Sequence, residues 1–196
     1  MMKSGKLALS TLMAGVLTAA PAFAHSGGAI GGLTSGLLHP ITGLDHVVAM
    51  VAVGLWGGIL GGKAVWQLPI IFPLVMAMAG AAGALGVPLP GIETGIATSG
   101  VVLGLMVMLM LRPPIAVAMA IVGAFAVFHG HAHGTELPEA ANPLTYALGF
   151  VVATGLLHLA GIAFGLVMKW PQGKIAVRAA GGAIALAGAA FLTGFA

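Results

Sequence analysis

Seven histidines and no cysteine stand in a chain of 196 residues, so any metal chemistry must run through imidazole nitrogen, carboxylate or carbonyl oxygen, or thioether sulfur. The absence of cysteine also removes disulfides and thiolate sites from consideration. The first histidine segment is His39-Pro40-Ile41-Thr42-Gly43-Leu44-Asp45-His46. Its two histidines, seven residues apart, share a face if one helix runs through both. Pro40 is also at home in a first helical turn, which would leave His39 at the cap instead. Asp45 points roughly 100° away from His46 around a helix. Its expected role is to accept the other ring N–H of that histidine, which fixes the tautomer and raises the basicity of the free nitrogen.

The second segment is Phe128-His129-Gly130-His131-Ala132-His133-Gly134-Thr135-Glu136. His129 and His133, at i and i+4, share a face with the spacing of helical metal sites, while His131 faces elsewhere and Glu136 follows within a turn. A solvated outer loop is the bland alternative for this stretch. Glu93 opens a later apolar segment, where it is equally a ligand, an entrance charge or a favourable first-turn acid. His158 lies deep within another, where packing, proton relay and a second transit site are all open. Met50, one turn beyond His46, offers a soft thioether or simply fills the core. The expected ligands are thus His25, His39, His46, His129 and His133, with Asp45, Glu93, Glu136, His158, Met50 and His131 as supporting or pathway residues.

What positions them is a membrane protein. The chain is 60% hydrophobic and 6% charged, its mean hydropathy is +1.13, and a span needs about 20 predominantly apolar residues. Seven Lys and Arg against four Asp and Glu give a basic balance but no basic cluster, which argues against nucleic acid. Residues 1–24 read as a signal peptide: Lys3 and Lys6, an apolar run from Leu7 to Ala20, then Ala22-Phe23-Ala24 as a small-x-small cleavage signal. An uncleaved first membrane helix is the alternative, and the run is short for that. Residues 25–196 form one all-α domain with six transmembrane helices, at about 41–61, 66–86, 93–111, 114–130, 144–169 and 174–195, separated by Gly, Pro or charged turns. A homo-oligomer is compatible with it.

With a cleaved signal the mature N-terminus is outside, and Lys63, Arg112, Lys169, Lys174 and Arg178 all fall on the cytoplasmic side, as the positive-inside rule requires. Both termini of the mature chain are then periplasmic. Glu93, Glu136 and Glu139 fall outside, and Trp56, Trp66 and Trp170 lie near inner boundaries, where interfacial anchors belong. His39, His46, His129 and His133 gather in the outer half. Gly54, Gly57, Gly58, Gly61, Gly181, Gly182 and Gly188 suit close helix packing in lipid. Cleavage would leave His25 with a free α-amine beside its imidazole, a chelating pair. A small-residue tether of about fourteen residues, flexible from Ser26 to Gly32, would let it fold back over the outer site.

These segments resemble the HupE/UreJ hydrogenase and urease accessory proteins, regarded as nickel or cobalt permeases. The resemblance lies in His39-Pro40-x-x-Gly43-x-Asp45-His46 and in Phe128-His129-Gly130-x-Ala132-His133-Gly134-x-Glu136. It continues through Glu93-x-Gly95-Ile96-Ala97-x-Ser99 and from Gly149-Phe150 through Ala153-Thr154 to Leu157-His158. It implies import of Ni²⁺ or Co²⁺ across a bacterial inner membrane for metalloenzyme maturation. Residue chemistry by itself admits Ni²⁺, Co²⁺, Cu²⁺ or Zn²⁺. No GxxxxGK[ST] loop is present, so an ATP-coupled pump within this chain is not expected. The rival classes are a membrane metalloenzyme, in which the same histidines hold a metal that activates water, and a sensor or binding subunit that retains metal without passing it.

Overall fold

A computed structural model describes residues 29–137 and 142–195; the signal-peptide segment, His25 and Glu139 lie outside the described residues. The described residues form seven α-helices and no strand: α1 Ala29–Thr42, α2 Leu44–Leu60, α3 Ala64–Ala84, α4 Ile92–Met108, α5 Ile115–Thr135, α6 Pro143–Gly165 and α7 Pro171–Thr193. A short 3₁₀ turn, Leu166–Lys169, follows α6. The helix α3 shows why such elements suit lipid. Leu68, Phe72 and Met76 form its buried stripe, while Ile70, Leu74 and Met78 on the opposite face are 48%, 57% and 75% exposed. A helix that is apolar all round belongs in a bilayer rather than in water. Four helices, α3, α5, α6 with its 3₁₀ extension, and α7, are long and apolar enough to cross a membrane; α1 and α2 together make a fifth if counted as one bent span. The helix α4, 17 residues long, is shorter.

The helices pack through glycine. In α2 and α6, Gly54 lies against the His158 carbonyl and Gly161 against the Val51 carbonyl, so neither position has room for a side chain. Gly104 and Gly181 play the same part between α4 and α7, and Gly130 and Gly134 between α5 and α3. With no hydrophobic drive between helices in lipid, this close backbone contact is what holds the bundle together.

The structure departs from the sequence expectations in four places. The first apolar stretch is not one helix from residue 41: α1 and α2 meet at Gly43 with a bend of 81°. Pro40 therefore lies in the last turn of α1 rather than opening a helix, and His39 and His46 lie on either side of a corner. The tether before His39 is helical from Ala29 onward, because Gly32 and Gly36 let α1 press onto the backbone of α6 at Asn142 and Tyr146. The helix α5 runs on to Thr135, so the stretch from His131 does not begin a loop. Trp56 is fully buried and donates its indole N–H to the Leu111 carbonyl at 2.9 Å, which makes it a tie between α2 and the segment that follows α4; Trp66 and Trp170 are exposed.

Candidate metal centre

The three histidines of α5 are sorted by the helix itself. His129 and His133, one turn apart, project into the bundle, and both are buried. Gly130 and Gly134, the next residues along, present the adjoining face to the Met76 and Gly80 backbones of α3, which sets the rotation of α5. His131 turns to the far side, where its Nε2–H donates to the Val87 carbonyl at 2.6 Å. It is a structural tie and takes no part in the cluster.

The corner at Gly43 brings the other two histidines in. The ring of His46, in the first turn of α2, lies 4.4 Å from that of His133 and 4.9 Å from that of His129, centroid to centroid. The ring of His39, at the end of α1, lies 4.7 Å from His133. His133 is therefore the centre of a group of four imidazoles drawn from three helices. Phe150 of α6 closes against it at 4.1 Å, and Phe72 of α3 covers His129 at 5.5 Å.

Hydrogen bonds at the rim decide which nitrogens carry lone pairs. Asp45 Oδ1 accepts both the backbone N–H and the Nδ1–H of His46, each at 2.8 Å; a carboxylate has no proton to give, so His46 Nε2 is bare. Ser99 donates its hydroxyl to the Ile96 carbonyl at 2.6 Å, and so meets His129 Nε2, at 2.9 Å, as an acceptor. The proton of His129 must then sit on Nε2, leaving Nδ1 bare. Glu136 Oε2 accepts from His39 Nε2–H at 3.0 Å, which leaves His39 Nδ1 bare in turn. His46 Nε2, His129 Nδ1 and both nitrogens of His133 are buried with no hydrogen-bond partner in the protein. Buried polar atoms are rarely left so; one nitrogen of neutral His133 carries its proton, so the three rings offer three lone pairs within one cluster, of the kind a borderline divalent cation takes. One nitrogen each from His39 and His133 and one oxygen of Glu136 also lie within 4.8 Å of one another, so the exposed side of the cluster has a carboxylate available as well.

The remaining candidates fall around this group. Asp45 and Glu93 line a hollow of about 360 Å³ with Thr94 and Ala97. Met50 is fully buried in the apolar core. His158 is fully buried deeper in α6, its ring 5.4 Å from Phe72. Three residues received no role from the sequence. Ser99 stood only as part of the family resemblance, although a hydroxyl inside a span was a usable signal. Phe72 and Tyr146, whose ring lies 6.0 Å from His39, carried no signal beyond being aromatic.

Comparison with known proteins identifies the family. A family profile described as HupE / UreJ protein matches residues 12–191. Protein HupE of Rhizobium leguminosarum bv. viciae is 46% identical over 186 residues, covering 95% of this chain and 97% of that protein. No solved structure matches the chain. With nearly its whole length matched by both, the chain belongs to the HupE/UreJ family.

Proposed function

We propose that this protein is a secondary permease of the bacterial inner membrane that imports a divalent transition metal, Ni²⁺ foremost and Co²⁺ next, for the maturation of metalloenzymes such as hydrogenase or urease. In this reading residues 1–24 are removed as a signal peptide. The mature chain then crosses the membrane six times, α1 and α2 forming one bent crossing and α4 another, with both termini periplasmic. The observation that carries the reading is the set of buried, bare imidazole nitrogens on His46, His129 and His133, with His39 and Glu136 at their exposed side. The hydrated ion meets Glu136 and His39 first and exchanges water for imidazole as it moves inward to His133, His46 and His129. The rim bonds from Asp45 and Ser99 hold two of those rings in the tautomer that binds metal.

Uptake of radiolabelled nickel into proteoliposomes containing the purified protein tests this. Wild-type protein accumulates nickel above empty vesicles, and His133→Ala, which removes the central ligand, abolishes that accumulation while leaving the chain inserted. Uptake by His133→Ala at the wild-type rate would remove the cluster from the route. Absence of uptake by the wild type, with tight binding retained, would point to a metal-holding subunit or metalloenzyme instead.

A further inference from the structure

Beyond the cluster a second group of buried polar atoms lacks partners. His158 is fully buried and neither ring nitrogen is hydrogen-bonded. Thr154, one turn earlier on the same face of α6, is fully buried and its hydroxyl is also unpartnered. A helical hydroxyl ordinarily turns back onto a carbonyl three or four residues before it. Thr135 does so onto Ala132 at 2.7 Å and Thr193 onto Ala189 at 2.8 Å; Thr154 does not.

The third member comes from the backbone. The helix α3 contains Pro69 and Pro73, and the carbonyl of residue 69 is the one that the N–H of residue 73 would claim. Proline has no N–H, so the Pro69 carbonyl is without its helical donor. That carbonyl lies alongside the His158 ring without closing a hydrogen bond to it. Phe72 borders both this group and the outer cluster, its ring 5.5 Å from His129 and 5.4 Å from His158.

We infer a second divalent-cation site, formed by His158, the Thr154 hydroxyl and the Pro69 carbonyl, bordered by Phe72. One imidazole and two neutral oxygens make a weaker site than the four-histidine cluster. A transport route needs such a site, because an ion must be held well enough to enter and loosely enough to leave. Calling it a station on a route rests on the permease reading; the site itself does not.

Calorimetric titration of Ni²⁺ into the purified full-length protein in detergent tests it. Wild-type protein binds two ions, one tightly and one at least about tenfold more weakly, and the paired substitution His46→Ala with His133→Ala leaves only the weaker one. His158→Gln removes the weaker phase. Thr154→Val and Pro73→Ala each weaken it about fivefold, as loss of one neutral ligand should. Pro73→Ala is the discriminating variant, since it removes no group of the site and only restores an N–H that claims the Pro69 carbonyl. The unchanged tight phase in these three variants shows that each is folded. A single bound ion in the wild type, or a weaker phase indifferent to all three substitutions, overturns the inference. Two bound ions without proteoliposome uptake would sink the permease reading and leave this site standing; uptake with one bound ion would do the reverse.

Discussion

Ser99→Ala isolates what the rim bond to His129 does. The substitution deletes one oxygen that is fully buried, accepts from His129 Nε2–H at 2.9 Å and gives its own proton to Ile96. Leaving that N–H unsatisfied costs about 1–3 kcal/mol. This part of the loss falls on the metal-free and metal-loaded forms alike, so it lowers thermal stability without changing affinity. The differential part arises because a metal on Nδ1 polarises the ring. The Nε2–H bond then becomes charge-assisted and roughly twice as strong as a neutral bond of about 1 kcal/mol. The variant therefore forfeits about 1 kcal/mol more when loaded than when empty, which is about a fivefold rise in the nickel dissociation constant. Calorimetric titration beside thermal unfolding separates the two parts. An affinity unchanged within error would show that Ser99 does not set the His129 tautomer. A loss as complete as that of His129→Ala would show that Ser99 supports the whole helix rather than one proton.

Asp45→Asn should weaken nickel binding roughly 10–100-fold. The new amide can donate to His46 Nδ1 and so move the ring proton onto Nε2, hiding the bare nitrogen; impaired folding with normal affinity would make Asp45 structural. His131→Ala should lower thermal stability, through loss of the bond to Val87, and leave nickel affinity unchanged; weakened binding would place His131 among the ligands. Acidifying the medium should weaken binding progressively, because protons compete with the metal for the same imidazole lone pairs; affinity independent of pH in a titration series would argue for oxygen ligands instead.

Much of this site is legible in the sequence, for identifiable reasons. The i, i+4 spacing of His129 and His133 fixes a shared face wherever the helix goes, and adjacency puts Asp45 within reach of its neighbour's ring but away from its free nitrogen. The corner at Gly43 is not legible, since His39 and His46 at a seven-residue spacing describe a continuous helix equally well. The helix α1 escapes for a related reason. Gly31, Gly32 and Gly36 each disfavour helix by about 1 kcal/mol, and only their tertiary use against α6, where no side chain fits at Gly32 or Gly36, overrides that. The role of Ser99 was not legible because its partner lies thirty residues away, and the direction of its hydroxyl is decided by the Ile96 carbonyl rather than by any pattern. The exposed, apolar outer faces of the helices, by contrast, follow directly from composition.

The central claim is that the bare nitrogens gathered around His133 bind one metal ion, and X-ray absorption at the nickel edge reads it directly. Protein loaded with one equivalent of Ni²⁺ should show a light-atom shell with the multiple-scattering signature of three or four imidazoles. His133→Ala with His46→Ala, which no longer holds the tight ion, should lose that signature. A shell of oxygens alone, a sulfur contribution from Met50, or an imidazole count unchanged by those two substitutions would contradict it.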